Sequence, residues 1–541
     1  MLTRIAGGRI IDPANQRDAV GDVWLRDERI VAAPPDGRAD TTYDASGMIV
    51  MAGAIDIHSH IAGSNVNTAR LLLPELRRAA LTGADEVPPE FGWASDATGC
   101  LYARMGFTTV VEPAVAPAYA TQAHLELDDI PIIDKATLAV LGNDDYLLTL
   151  LHARESASAI RDYVAWTLET SGALGLKVIN AGGSAAFRQN VRTFGLDDVV
   201  PDYGLTSRAI VRALQHAVHE LGVPHPLHVH TNNLGVAGNA DTAIATIAAA
   251  EGLPLHLAHL QFYGYGTEGP RGFSSAAARL AEAVNAAKTV TIDVGQVMFG
   301  QTVTVSSDVL RQFGARHRGS PKKWVIHDGD GNGGGVVPYR YRPDDFYNAV
   351  QWAVGLELFL LIEERVFFTT DHPNGAPFTA YPDLLALLMS RDLRAEWIAR
   401  LPPEAVAVTM LPSIAREYSF NEIAAMTRAA PARLLGLSDR GHLGPGARAD
   451  VAVYAAQSDR AAMFRAAALV FKDGALVVRD GAVVDRRFGR ALRVRPGFDS
   501  AIERRMEAYC QQRYRRSADF LSVPEWALQR PDPFEVVSCA S

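Results

Sequence analysis

Cysteine and lysine are both scarce in this chain of 541 residues. The three cysteines, Cys100, Cys510 and Cys539, are scattered and form no CxxC pair. That spacing excludes a disulfide framework, an iron–sulfur cluster and a cysteine zinc site. A reducing cytoplasm is the expected compartment. Only six lysines occur, so each can be judged on its own surroundings. Long hydrophobic runs are missing too. No stretch approaches the roughly 18–20 apolar residues that a membrane span requires. Residues 1–5 lack the basic start and apolar core of a signal peptide. Positive charge is also short: the formal charge is −9, which argues against nucleic acid as a partner.

What is present reads as two textures. Residues 2–50 alternate in short apolar bursts separated by Gly and Asp-Pro signals, the pattern of a small antiparallel β unit. The same texture returns at 441–478, so the two ends are expected to complete one β-sandwich. Between them, strand-like runs at 108–112, 175–179, 227–230, 255–259, 290–294 and 366–370 alternate with helical stretches such as 205–221 and 275–288. This alternation predicts an α/β fold, a TIM-like (β/α)8 barrel with long insertions. The expected partition is 1–51 and 436–490 for the sandwich and 52–435 for the barrel. Residues 491–541 form an Arg-rich extension that docks on the domain or on a partner.

Candidate chemistry begins with His58 and His60, two residues apart at the end of an apolar run. Side chains alternate along a strand, so both imidazoles share one face and can hold one metal ion or two. His230 and His259 each close another short apolar strand, and imidazole suits zinc and similar ions. His228 shares a strand face with His230 and could be a ligand or a substrate contact. His256 would face away from His259 and reads as structural. Asp371 ends a further strand. It could cap the next helix, or bind metal and move a proton to or from a water.

Lys177 lies inside an apolar strand, where an ammonium is costly unless paired or neutralised. It either snorkels to a carboxylate or carries a carbamate that acts as a carboxylate-like metal ligand. The stretch 328–335 opens like a calcium loop, but Tyr339 stands where a bidentate glutamate belongs. It reads as a barrel loop over the site and not as a calcium site.

The order His-x-His, Lys, His, His, Asp, followed by the terminal Gly-Pro-Gly-Ala-Arg-Ala-Asp ending at Asp450, resembles the amidohydrolase superfamily. The flanking segments 60–67, 227–235, 258–266 and 370–377 are similar to the amidohydrolase-type component shared by formylmethanofuran dehydrogenases and bacterial formyltransferase/hydrolase complexes. The resemblance covers about residues 1–490. It implies a binuclear site, usually zinc, built from His58, His60, carboxylated Lys177, His230, His259 and Asp371. It also implies hydrolysis of the N-formyl group of a methanofuran-type cofactor to formate and a free amine, with Asp371 carrying the proton. The implied partners are the other members of such a complex, including a formyltransferase subunit. His228, Asn232, Asn233, Gln261 and Arg188 are the candidate substrate contacts. The competing readings are a stand-alone cyclic amidase, such as a hydantoinase or dihydroorotase, and a non-catalytic scaffold of the same fold.

Overall fold

The computed structural model describes residues 1–74, 94–189, 191, 194–305, 336–528, 530 and 533–540. The stretch 328–335, expected to be a loop over the site, lies outside them. Eight parallel strands form the centre: β1 (Ala54–Asp56), β2 (Phe107–Val115), β3 (Asp134–Leu141), β4 (Gly175–Ile179), β5 (His228–His230), β6 (Leu255–Leu257), β7 (Val290–Asp293) and β8 (Val366–Phe367). Each pairs with its neighbour in chain order. A parallel bridge between Ser59 and His372 joins the last strand to the first. The His60 N–H donates to the His372 carbonyl at 2.9 Å across that seam. The closed ring is a TIM-like barrel, in which strand C-termini gather at one mouth.

The surrounding helices follow from periodicity. The helix Ser207–Glu220 starts at Thr206, whose side chain accepts the Ala209 N–H. Its buried Ile210, Val211, Leu214, Ala217 and Val218 recur at helical spacing and form one stripe against the barrel. Burying each large aliphatic side chain contributes roughly 2 kcal/mol.

Both chain ends build the second sheet. Met48–Ala52 pairs antiparallel with Val451–Ala455, and this junction merges the N-terminal and C-terminal strands into one nine-stranded sheet. The sheet encloses its own small core, including Ile10, Val23, Val453 and Phe471.

The final segment docks on the barrel. Ala491–Val494 pairs in parallel with the start of β3, and Phe534–Val537 pairs with Ala491–Val494. Between them the helix Ala501–Tyr514 packs against the helix Ala157–Thr170. Among the described residues, no helix is long and apolar enough to cross a membrane.

Candidate metal centre

The chain leaves β1 through His58 and His60 at the barrel mouth. His58 Nε2 and His60 Nε2 approach the same oxygen, Asp371 Oδ1, at 3.1 and 3.2 Å. Lys177 Nζ, on β4, lies 3.2 Å from His58 Nε2. His230 Nδ1 and His259 Nε2, from the ends of β5 and β6, are 3.1 Å apart. His60, Lys177, His230, His259 and Asp371 line one cavity, and fully buried His58 lies directly beneath.

The backbone is bent to achieve this. Asn180, Asn233, His259 and Asp371 all have left-handed φ, at 44°, 69°, 34° and 50°. Such a conformation costs a non-glycine residue roughly 1 kcal/mol or more, and it persists where the fold over-determines it. Gly295, after β7, has φ +64°, and a Cβ there would sit 2.3 Å from His259 Cβ. Only glycine lets that strand end pass His259 so closely.

Carboxylates behind the histidines orient them. His58 Nδ1 lies 2.8 Å from Asp293 Oδ2, and His60 Nδ1 lies 2.8 Å from Glu112 Oε1. Each carboxylate can accept an Nδ1–H and so point Nε2 at the cavity side, where it would present its lone pair to a bound cation in place of the proton it otherwise shares with Asp371. Both carboxylates are fully buried and further satisfied. Asp293 accepts the His259 N–H, and Glu112 accepts those of Ile61 and Ala62. Neither was singled out from sequence. The available signal was an acid closing an apolar strand, at the ends of the 108–112 and 290–294 runs, where an ionised group survives only with partners.

Charges follow the geometry. Burial opposes the ionised form of Asp371, but His58 and hydrogen bonds from His58 and His60 hold it well below the usual carboxylate range. Burial also opposes a charge on His60, yet Glu112 and Asp371 push it up to about 9. Burial lowers Lys177 and drives His228 and His259 well below the ordinary histidine value.

The donor set fits a divalent cation. Two ring nitrogens facing each other at 3.1 Å need a shared proton or a shared cation. Donor separations of 3.1–3.2 Å match the edge of about 3.3 Å around a tetrahedral ion with donors at about 2.0 Å. His58, His259 and Asp371 bring their ligand atoms within 4.8 Å of one another.

The expected substrate contacts fall elsewhere. His228 is fully buried below the pair, with Nε2 3.1 Å from His58 Nδ1 and Nδ1 3.1 Å from His225 Nε2. Asn232 donates to Asn180 Oδ1 at 2.8 Å, and it is Asn180 that reaches the cavity wall. Asn233 donates to Thr242 Oγ1, and Gln261 to the Tyr265 hydroxyl. Arg188 lines a neighbouring chamber. These polar groups follow strand ends in sequence, but tight turns aim them into protein. Instead Asn65, 3.2 Å from His60 Nδ1, and Asn374, donating to Asp371 Oδ1 at 3.1 Å, line the cavity.

A model of the Amidohydrolase family matches residues 41–485. The chain is 52% identical to FhcA of the formyltransferase/hydrolase complex of Methylorubrum extorquens, over all of both chains. It is 38% identical to protein FwdA of Methanocaldococcus jannaschii, over 83% of this chain and 82% of that one. Its fold matches a chain of the Methylorubrum extorquens FhcABCD complex, crystallised with methylofuran, at a TM-score of 0.94, 51% identity and full coverage of both.

Proposed function

The chain belongs to the amidohydrolase family, in the branch of the FhcA-type proteins of formyltransferase/hydrolase complexes. From that premise we propose that it hydrolyses the N-formyl group of a methanofuran-type carrier to formate and free amine. It would do so as one member of a complex that includes a formyltransferase. The observation that carries the reading is the approach of His58 Nε2 and His60 Nε2 to the single oxygen Asp371 Oδ1 at the cavity floor. The full-length similarity to a protein crystallised in a complex with methylofuran supports the substrate class.

His58, His60, His230, His259, Asp371 and Lys177 as its carbamate would hold two zinc ions. Bound there, the ions would polarise the formyl oxygen and bring a water toward a pKa of about 7. The residues supply the rest. Asp371 takes a proton from the attacking water as its oxygen bonds to the formyl carbon. It then delivers that proton to the nitrogen as the C–N bond breaks, because an amine leaves only once protonated. Asn374 fixes the carboxylate through its hydrogen bond to Oδ1. Glu112 and Asp293 keep the two imidazoles in one tautomer and orientation. The three unpaired cysteines suit a reducing cytoplasm.

The test is formate release from the formylated carrier by the purified complex, before and after chelation and zinc return. Replacing Asp371 by Asn should lower kcat by roughly 10²–10⁴ with the complex intact. Turnover of a hydantoin without formate release from the carrier would overturn the reading in favour of a cyclic amidase.

A further inference from the structure

Thr369, two residues beyond β8, is fully buried, and its hydroxyl makes two hydrogen bonds. It donates to the His58 carbonyl at 2.5 Å and accepts the Asp371 N–H at 3.0 Å. The bond to Asp371 is local, a turn that threonine commonly makes with the N–H two residues on. The bond to His58 spans 311 residues of sequence. One oxygen therefore joins the backbones of His58 and Asp371, whose side chains meet again at the cavity floor, His58 Nε2 to Asp371 Oδ1 at 3.1 Å. The contacts form a closed circuit.

Proton counting fixes the direction of these bonds. The Tyr381 hydroxyl lies 3.3 Å from Thr369 Oγ1, but its one proton goes to Asp56 Oδ2 at 2.5 Å. The Thr369 proton goes to the His58 carbonyl, which leaves a lone pair for the Asp371 N–H. The His58 N–H is held as well, by Asp56 Oδ1 at 3.0 Å, and Asp56 Oδ2 also accepts the Tyr102 hydroxyl at 2.9 Å. Asp371 has φ 50°, a conformation that a non-glycine residue keeps where its neighbours hold it. Its carbonyl accepts the Asn374 N–H at 2.6 Å, a bond within the same turn. Two bonds refer that turn to the end of β1. The His60 N–H to the His372 carbonyl pins the side after Asp371, and Thr369 pins the side before it.

We propose that Thr369 is a positioning residue for the hydrolysis: its hydroxyl sets the Asp371 carboxylate against His58, where Asp371 takes and returns the proton. The inference rests on the formamide hydrolase reading and adds the group behind the cavity wall that governs its proton carrier. Thr369 does not itself line the cavity. Valine has nearly the same shape, so T369V withdraws the two bonds and little else. His58 keeps Asp293 at Nδ1 and Asp56 at its N–H, so the substitution acts on Asp371 and spares metal binding.

The experiment measures formate release from the formylated carrier by the intact complex in wild type, T369V and T369S. In T369V kcat should fall about 10- to 100-fold, the scale of a misplaced reacting group, with KM within about twofold and zinc per chain unchanged. T369S keeps the hydroxyl and should restore kcat. In the D371N background T369V should cost nothing further, because the group it positions no longer takes the proton. Wild-type kcat in T369V, an equal loss in T369S, zinc loss in step with activity, or the full further loss in D371N each overturns the proposal. If T369V does not assemble with its partners, T369C, whose thiol bonds more weakly, is judged by the same criteria. If the wild-type complex releases no formate, the hydrolase reading itself fails. Thr369 is then judged on the cobalt-loaded complex. A visible spectrum altered in T369V and restored in T369S supports its hold on Asp371, and an unaltered spectrum in T369V overturns it.

Discussion

His58 Nδ1 and Asp293 Oδ2 meet at 2.8 Å across the barrel interior, and both side chains are fully buried. The contact joins the end of β1 to the end of β7, 235 residues apart in sequence. It makes the charge on Asp293 the fixed reference against which His58 presents its other nitrogen.

The D293N substitution should therefore loosen metal without unfolding the barrel. An amide can accept one N–H but lacks the charge that holds the His58 tautomer. Zinc affinity is expected to fall about 10- to 100-fold. Competition with a chromophoric chelator measures this, and retention of wild-type affinity would remove Asp293 from the centre.

Lys177 stands 3.2 Å from His58 Nε2 on the cavity wall. Its replacement by Ala should reduce the zinc content per chain and formate release together. If a carbamate supplies the missing carboxylate, added acetate should restore part of both. Arginine at 177 should not substitute, because a guanidinium forms no carbamate. Full zinc loading of K177A would show that the lysine does not ligate.

His124 gives a pH dependence remote from the metal. It is buried, lies 3.0 Å from the Ser171 carbonyl and is lowered by burial from 6.5 to about 4. Above pH 6.5 the folded and unfolded states are both neutral here, and the contribution is fully present. Between 6.5 and about 4 only the unfolded state takes the proton, so roughly 3 kcal/mol is lost on acidification. The stability advantage of wild type over H124N should shrink across that window in urea melts. A constant difference would show that His124 does not titrate in this way.

Arg440 ties three parts of the chain together. It meets Asp134 at the start of β3 at 2.9 Å and Glu535 in the last strand at 2.9 Å. In R440A, Asp134 would stay buried with Lys472 at 3.3 Å as its remaining basic partner. Losing one member of such a buried network costs about 3 kcal/mol. Hydrogen exchange should show residues 534–537 losing protection first, and unchanged exchange there would refute the clasp.

Much of the barrel was readable because its strands are short apolar runs punctuated by turn residues. β3 was harder to see. It opens with Asp134 and Lys135, both fully buried, and a charged pair in sequence reads as surface. Lys135 is tolerated because Nζ donates to the Ile130 and Gly489 carbonyls, the latter 354 residues away. No local pattern announces such a partner. The extension at 491–541 was equally ambiguous, since pairing of Ala491–Val494 with β3 depends on register between distant segments.

Sequence alone determined the donor types and their order. A period of two puts His58 and His60 on one face, and a histidine or aspartate at a strand end needs no distant information to be noticed. Tertiary structure decided what those donors face. Closing the barrel at Ser59 and His372 brought Asp371 to both histidines, and placed Asp293 and Glu112 behind them. It also turned Asn232, Asn233 and Gln261 into protein and left Arg188 on the wall of the neighbouring chamber. The physical reason is range: alternation and turn propensity act over a few residues, whereas pairing a buried charge is settled only when the strand carrying its partner arrives.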